Sequence, residues 1–114
     1  MTGAATTGPT TGPSAESTTH IEVRHEPDFA RYTLWQDGEN VGLADYRVTP
    51  REVRFIHTEV DPTRRGQGLA GILIQFALDD VQTRTDLRVV ADCSFVARWI
   101  AGHAEYQDLL TRGL

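Results

Sequence analysis

The chain has 114 residues, of which 39% are hydrophobic, and its formal net charge at pH 7 is −5. This length fits one globular domain with an ordinary core, and the acidic balance argues against a nucleic-acid-binding protein, which would need a basic face. The single cysteine excludes an internal disulfide and, with only four histidines, a cysteine-rich zinc site, so we expect no metal and a reducing, cytoplasmic location.

Residues 1–20 differ in composition from the rest of the chain. They are mostly Thr, Gly, Pro, Ser and Ala, with almost no charge and no apolar periodicity. Such a segment buries too little surface to offset the entropy lost on ordering, so we expect a disordered tail over 1–20 and one folded domain over 21–114. The sequence shows neither the basic start and apolar run of a signal peptide nor a membrane-spanning run of about 20 apolar residues.

The first half of the folded region has the pattern of an antiparallel meander. Apolar and polar residues alternate over 21–25, 30–35 and 41–48, as in half-buried strands. Asp37-Gly38 supplies the residue types of a tight hairpin turn between the second and third of these strands. A fourth strand, Glu52–Val60, follows directly and is rich in β-branched and aromatic residues.

The second half alternates helix and strand. A helix is predicted from about Gly68 to Gln82, then a strand over Leu87–Ala91, then a shorter helix from about Ser94. The apolar stripe of the first helix is predicted to be Leu69, Ile72, Leu73, Phe76 and Ala77, and that of the second Phe95, Val96, Trp99 and Ile100. Because a strand–helix–strand unit implies a parallel pair, the predicted fold class is α/β (α+β): a mixed sheet with an antiparallel N-terminal meander, then β-α-β-α with two main helices.

The turn between the fourth strand and the first helix is basic and rich in glycine. Backbone N–H groups and the positive end of the helix macrodipole converge there, which favours an anion. Arg64 and Arg65 add two charges with forked donors suited to phosphate oxygens. Gly66 and Gly68 carry no Cβ and let a ligand approach the backbone. The segment from Val60 onwards therefore predicts a phosphate or pyrophosphate site.

The glycines of this turn also match two other phosphate-binding patterns in part. Gly66-x-Gly68-x-x-Gly71 satisfies the dinucleotide-binding fingerprint, with Asp86 and Asp92 near the position of its acidic residue. However, five residues separate the strand from the first glycine, and the remaining chain is too short for the further βαβ units of that fold. A phosphate-binding Walker loop is excluded because no Lys-Ser/Thr pair follows the glycines. A plain structural turn remains the alternative, but it gives the arginine pair no purpose.

The segment Arg65-Gly66-Gln67-Gly68-Leu69-Ala70 resembles the Arg/Gln-x-x-Gly-x-Gly/Ala motif of the GCN5-related N-acetyltransferases. Residues 88–96 and 103–106 are similar to a minimal group within that family, and the likeness covers about 20–110. The resemblance implies a backbone cradle for the pyrophosphate of acetyl-CoA, the co-substrate, and acetyl transfer to a primary amine. The residues it assigns to CoA binding are Val60, Arg64, Arg65, Gly66, Gln67, Gly68, Leu69, Ala70 and Ser94.

The chain departs from the family pattern near its last helix. Typical members carry an asparagine at the start of that helix and, seven residues on, a tyrosine that protonates the departing thiolate. Ser94 and Ala101 stand at these positions, so the usual acid is missing. The two-helix insertion that forms an acceptor wall is also absent from the sequence pattern, which leaves an open acceptor side.

Three residues are candidates for the chemistry. His57 and Glu59 lie two apart on one strand and hence on one sheet face; the imidazole can accept the ammonium proton of the amine, or it is only a buried or hydrogen-bonded strand histidine. Glu59 has three alternative roles: it orients the imidazole of His57, it binds a cationic acceptor, or it only faces solvent. Cys93, with Ser94 as the expected N-cap, lies at a helix N-terminus, where thiol pKa values fall. Three roles are open for Cys93. It forms a transient acetyl-cysteine, it gives a proton to the departing CoA thiolate, or it is a small hydrophobic residue of the core. The N–H of Val60 is the candidate oxyanion donor.

The acceptor is not decided by the sequence. Small amines, peptide termini and protein lysines all suit an open acidic wall, and we expect a monomer or weak dimer with no nucleic-acid or membrane partner. Two competing hypotheses remain: a non-catalytic module that binds CoA or acyl-CoA, and a small adaptor that no longer binds CoA.

Overall fold

The computed structural model describes residues 20–64 and 66–114 of the chain. The predicted tail therefore lies outside the described residues except for His20. The strands are β1 Ile21–Glu26, β2 Arg31–Gln36, β3 Glu39–Val48, β4 Glu52–Val60 and β5 Arg88–Ala91. The α-helices are α1 Leu69–Arg84 and α2 Ser94–Ala101, and short 3-10 helices cover Pro27–Phe29, Pro62–Arg64 and Ala104–Leu110.

The described strands form one mixed sheet in the order β1-β2-β3-β4-β5. The first four are antiparallel neighbours, and β5 is parallel to β4. Asp37 and Gly38 both have positive φ, at 52° and 84°, which is the turn geometry that matches the right-handed twist of a hairpin. The predicted fold class is confirmed, and element ends differ from the predicted ones by one or two residues.

Helix α1 packs across the sheet face that carries Tyr32, Leu34 and Ala44, all of which are buried. The hydroxyl of Tyr32 donates a 2.6 Å hydrogen bond to Asp80 of α1, which ties β2 to the second half of the helix. The same core receives Val96 and Ile100 from α2 and Leu109 from the last 3-10 helix. Among the described residues, no helix is long and apolar enough to cross a membrane.

The predicted apolar stripe of α1 is partly wrong. Leu69, Leu73 and Ala77 are buried, but Ile72 and Phe76 are each 42% exposed. The buried face continues instead through Ile74, Leu78 and Val81. Apolar residues lie on almost every side of this helix, so periodicity alone selects no unique face, and the position of the sheet decides which side is covered. In α2 the four predicted apolar residues are confirmed as buried or partly buried.

Candidate functional site

The loop before α1 requires glycine at two positions for reasons of backbone conformation. Gly66 has φ of 84° and Gly68, the N-cap of α1, has φ of 71°, in the left-handed region where a Cβ is strained. A Cβ built at either position meets no atom within 4 Å. The space beside both glycines is therefore open. Arg65, which the sequence places between them and Arg64, lies outside the described residues.

The N-terminus of α1 faces open space with unused donors. Within residues 20–64 and 66–114, no side chain caps this 16-residue helix, and its first turn holds no acidic residue. Ile72 donates to the carbonyl of Gly68 at 3.2 Å, so the amides of Leu69, Ala70 and Gly71 precede the first intrahelical bond. A cleft of about 290 Å³ opens onto this turn. Its walls are Val60, Arg64, Gly66, Gly68, Leu69, Ala70, Gly71 and Phe95. Uncapped amides and the helix dipole make this cleft favourable for a phosphate group.

Arg64 is held by side chains of the protein itself. Its Nη2 donates to Oε1 of Glu39 at 2.8 Å, its Nη1 donates to Oε1 of Gln36 at 2.5 Å, and its Nε lies 3.5 Å from Asp61. The guanidinium lines the cleft, but most of its donors are occupied. Its predicted contact with the pyrophosphate stays a prediction, and the main-chain amides are the open donors in this cleft.

Gln36 joins the two ends of the loop. While its Oε1 accepts from Arg64, its Nε2 donates to Oε1 of Gln67 at 2.7 Å. The side chain belongs to the buried face of β2, and Gln36 is only 6% exposed. Gln36 is a residue of this site that no sequence motif singles out. Its signal was the alternation of β2, which places Gln36 on the same face as Tyr32 and Leu34.

The strands β4 and β5 separate beside this cleft. They pair only from Glu52–Phe55 to Arg88–Ala91, and Cys93 N–H then donates to the carbonyl of Phe55 at 2.9 Å. From Ile56 to Val60, β4 has no partner on that side among the described residues. A gap therefore opens along the last five residues of β4.

The amide of Val60 is directed into this gap. Asp61 N–H donates to the carbonyl of Val41 at 2.7 Å, and Gly42 is the Cα partner of Val60. Hydrogen-bonded and non-hydrogen-bonded pairs alternate in an antiparallel ladder, so Gly42 and Val60 form a non-hydrogen-bonded pair. The N–H of Val60 therefore points away from β3, toward the side that β5 has left.

Cys93 lies at the opposite wall of the gap. It is the N-cap residue of α2, and its Sγ lies 3.7 Å from Oγ1 of Thr58 on β4. Partial burial raises the pKa of this thiol, but hydrogen bonds from the first amides of α2 and from Thr58 favour the thiolate, and the pKa is lower than the ordinary thiol value. Ser94 is not the N-cap: it is the first helical residue and is exposed. The helix begins at Ser94, as predicted, but its N-cap is Cys93, whose backbone is extended.

His57 and Glu59 lie on one sheet face, as expected from their spacing. His57 Nε2 and Glu59 Oε2 are 2.7 Å apart, and the two side chains are 55% and 63% exposed. The buried-histidine alternative is therefore wrong, and the hydrogen-bonded one describes the ring. This face is not that of Cys93. Thr58, the neighbour of Cys93, pairs with the buried Ala44, and alternation puts His57 on the other side of β4.

The structure places the described candidate residues on both sides of the end of β4. The glycine loop and Val60 border the gap, Cys93 contacts it from the α1 side, and the His57–Glu59 pair flanks β4 from the other side. Thr58 was not singled out from the sequence, although it lies between two residues that were. The last 3-10 helix carries packing residues: Tyr106 is buried and donates to Asp79 at 2.7 Å.

Several solved structures share this fold. The ribosomal-protein-S18-alanine N-acetyltransferase from Escherichia coli matches with a TM-score of 0.56 and 19% identity, over 69% of this chain and 54% of that one. The ribosomal-protein-alanine N-acetyltransferase from Brucella melitensis biovar Abortus 2308 matches with a TM-score of 0.53 and 19% identity, over 67% and 80%. The chain therefore spans about half the length of the first of these enzymes.

A third structure was determined with CoA. The N-acetylglutamate synthase from Neisseria gonorrhoeae, complexed with coenzyme A and N-acetyl-glutamate, matches with a TM-score of 0.53 and 15% identity, over 82% of this chain and 27% of that one. At these identities the likeness concerns the fold. No curated protein matches the sequence.

The sequence itself matches a family model. The model describes the GCN5-related N-acetyl-transferases and aligns with residues 31–109, well over half of the chain. That range includes every strand from β2 onwards, the glycine loop, both α-helices and the three candidate catalytic residues. The chain belongs to the GCN5-related N-acetyl-transferase family.

Proposed function

We propose that this protein is an acetyl-CoA-dependent N-acetyltransferase that transfers the acetyl group to a primary amine. The observation that carries the proposal is the gap between β4 and β5, which opens beside the uncapped N-terminus of α1. The diphosphate of acetyl-CoA can lie at the N-terminus of α1 while its acetyl group lies in the gap. Family membership and the N-acetyltransferase neighbours support the same activity.

The residues present fit CoA at its diphosphate. Gly66 and Gly68 leave open space beside the backbone, and the amides of Leu69, Ala70 and Gly71 are uncapped. These donors and the helix dipole would hold the diphosphate. Gln67 and Arg64 would act by keeping the loop in shape through Gln36. Ser94, exposed at the start of α2, and Arg65 stay predictions as CoA contacts.

The amine must lose a proton before it attacks the thioester. His57, held by Glu59 at 2.7 Å, is exposed and able to accept that proton directly or through one water. The nitrogen then attacks the acetyl carbon, and the N–H of Val60 donates to the oxygen that gains negative charge. As the tetrahedral intermediate collapses, the carbon–sulfur bond of the thioester breaks and CoA leaves as a thiolate.

The departing thiolate needs a proton, and Ala101 replaces the tyrosine that supplies it in typical family members. Cys93 is an ionisable side chain that borders the gap, with its Sγ 3.7 Å from Oγ1 of Thr58. A thiol with a lowered pKa is a stronger acid than an ordinary thiol, so it is suited to give its proton to the departing sulfur. Direct attack of the amine is the default, because His57 lies on the other face of β4 and is not placed to activate Cys93 as a nucleophile.

A rate assay tests the activity. CoA thiol released from acetyl-CoA is followed with a panel of small amines, peptides with free N-termini and lysine peptides. Release that depends on an amine, together with an acetylated product of matching mass, is the expected result. Cys93→Ala is expected to lower the rate more than the affinity for CoA. If no acceptor, including those in a cell extract, accelerates release above hydrolysis, the transferase proposal is wrong.

The competing function is a module that binds CoA or acyl-CoA without catalysis. The absent tyrosine, with Ala101 in its place, is the observation that favours it. Calorimetry with CoA separates the hypotheses: heat without amine-dependent thiol release indicates the binding module, and no heat at millimolar CoA removes both CoA hypotheses. The acceptor class, a cytoplasmic location and a monomeric or weakly dimeric state stay predictions.

A further inference from the structure

A second concave site lies at the far end of α1 from the glycine loop. It is a cavity of about 350 Å³ between the C-terminal part of α1 and the strands β1, β2, β3 and β4. Its apolar wall includes Val48, Val53, Val81 and Leu87. Its polar groups come from His25, Tyr32, Tyr46, Arg84 and Thr85. The volume lies in the range of about 300–1,000 Å³ found for small-molecule sites. We refer to it as the His25–Tyr46 pocket.

This pocket is separate from the CoA cleft. The cleft is lined by Gly71 in the first turn of α1, and the pocket by Val81. Along the helix axis these residues are about 15 Å apart at 1.5 Å per residue. None of the candidate catalytic residues lines the pocket. The acetyl-transfer chemistry therefore gives its polar groups no role.

The polar groups converge on one wall. His25 Nε2 lies 2.6 Å from the hydroxyl of Tyr46, and its Nδ1 lies 3.6 Å from Oδ2 of Asp80. The imidazole also stacks on the ring of Tyr32, with centroids 4.4 Å apart. Tyr46 is only 8% exposed, so its hydroxyl is fixed by burial as well as by His25. A phenolic oxygen that makes one hydrogen bond can still make another with a ligand.

Charge decides which ligand suits this wall. Asp80 occupies Nε and Nη2 of Arg84, the latter at 2.9 Å, and within residues 20–64 and 66–114 Nη1 makes no hydrogen bond. Arg84 lines the pocket, whereas Asp80 does not. Burial and the positive charge of Arg84 lower the pKa of His25, although Asp80 opposes the shift, and this favours the neutral ring. A ligand thus meets one guanidinium, the polar groups of His25 and Tyr46, and an apolar wall. The hydroxyls of Tyr32 and Thr85 also line the pocket, but they already donate to Asp80 and to the carbonyl of Val81.

We propose that the His25–Tyr46 pocket binds a small monocarboxylic acid with an apolar body, at a site distinct from the CoA cleft. The carboxylate accepts from Nη1 of Arg84 and from the hydroxyl of Tyr46, whose oxygen in turn accepts from the Nε2–H tautomer of His25. The hydrocarbon covers Val53, Val81 and Leu87. A cationic ligand is disfavoured because Arg84 lines the pocket, whereas its carboxylate partner Asp80 does not. A dicarboxylate is disfavoured because the second charge has no cation in an apolar cavity.

The test uses three probes of one shape: 3-phenylpropionate, its primary amide and 3-phenylpropylamine. Each is titrated into the full-length protein at pH 7, and the methyl signals of valine and leucine are followed by NMR. The expected result is saturable shifts at Val53, Val81 and Leu87, with the acid binding at least tenfold more tightly than the amide and the amine not binding. Equal affinity of acid and amide, or shifts only at the CoA cleft, would overturn the proposal.

Variants locate the site. Arg84→Gln is expected to weaken the acid at least tenfold and to leave the amide unchanged, whereas Arg47→Gln, an exposed arginine one position from Tyr46, changes neither. Val48 lines the mouth and is 56% exposed, so Val48→Trp fills the pocket without disturbing the core and should abolish binding of both probes. If Arg84→Gln unfolds, Tyr46→Phe is the alternative variant, and it is also expected to weaken binding of the acid. Unchanged acid affinity in Val48→Trp contradicts the proposal.

Discussion

The side-chain amide of Gln36 donates to Gln67 at 2.7 Å and accepts from Arg64, so one buried residue of β2 holds both flanks of the glycine loop. Gln36→Ala removes both hydrogen bonds. At about 0.5–1.5 kcal/mol per bond, we expect a loss of about 1–3 kcal/mol in the free energy of unfolding. We also expect weaker CoA binding, measured by calorimetry. Gln82→Ala, an exposed glutamine of α1, is the control. Equal denaturation midpoints for the two variants would show that the loop does not depend on Gln36.

Gly68 sets the entry to α1 with φ of 71°. An alanine there places a Cβ in the left-handed region, so Gly68→Ala should cost about 1–2 kcal/mol of unfolding free energy and also weaken CoA binding. Gly102→Ala is the matched control, because φ at Gly102 is −91° and the nearest contact of a new Cβ is 3.7 Å. Chemical denaturation and CoA calorimetry measure the two effects. If both variants behave alike, the conformational explanation is wrong.

Cys93 should react as a thiolate at lower pH than an ordinary thiol, because hydrogen bonds from α2 and Thr58 outweigh the effect of burial on its pKa. It is the only cysteine of the chain, so alkylation by iodoacetamide reports on it alone. The midpoint of the pH–rate curve is expected below that of a free cysteine, and Thr58→Val should move it upward.

The lowered pKa of Cys93 also makes the free energy of unfolding depend on pH. The folded protein holds the Cys93 thiolate more strongly than the unfolded chain does. This contribution is fully present above the ordinary thiol pKa and is lost as the pH falls through the lowered, folded-state pKa. An alkylation midpoint in the wild-type protein that equals that of the denatured protein would remove the thiolate-stabilising role.

His57 and Glu59 are expected to act together as base and orienting group across their 2.7 Å contact. His57→Gln should lower kcat by about 10²–10⁴-fold, the usual contribution of a general base, and leave CoA affinity unchanged. Glu59→Gln should cause a smaller loss. Glu22→Gln, an exposed carboxylate on β1, is the control for altered surface charge. A His57→Gln enzyme with wild-type kcat would return this histidine to a structural role.

Two isoleucines of α1 test which side of the helix faces the sheet. Ile74 is fully buried and Ile72 is 42% exposed. Ile74→Ala should reduce the free energy of unfolding by about 2–5 kcal/mol, because it removes core contacts and leaves a cavity. Ile72→Ala should change it by about 0.5 kcal/mol or less. Urea denaturation of both variants measures the difference, and the reverse order would contradict the described packing.

Several features of the site could be predicted from the sequence, because they depend only on the backbone conformation and spacing of neighbouring residues. The turn needs Gly66 and Gly68 for backbone reasons that hold wherever the turn lies, and strand β4 has the predicted bounds. The spacing of His57 and Glu59 puts them on one face by the period of a strand alone. Position near a helix start similarly marks Cys93, although the cap position shifted by one residue.

Relationships between distant residues were decided only by the tertiary structure. Gln36 and Gln67 are 31 positions apart, and Cys93 and Thr58 are 35 apart, so no local pattern predicts either contact. The placement of His57 and Cys93 on opposite faces of β4 depends on how β5 leaves β4 after Phe55. The buried side of α1 depends on the sheet beneath it, since a helix that is apolar on most sides has no preferred face until a partner covers one.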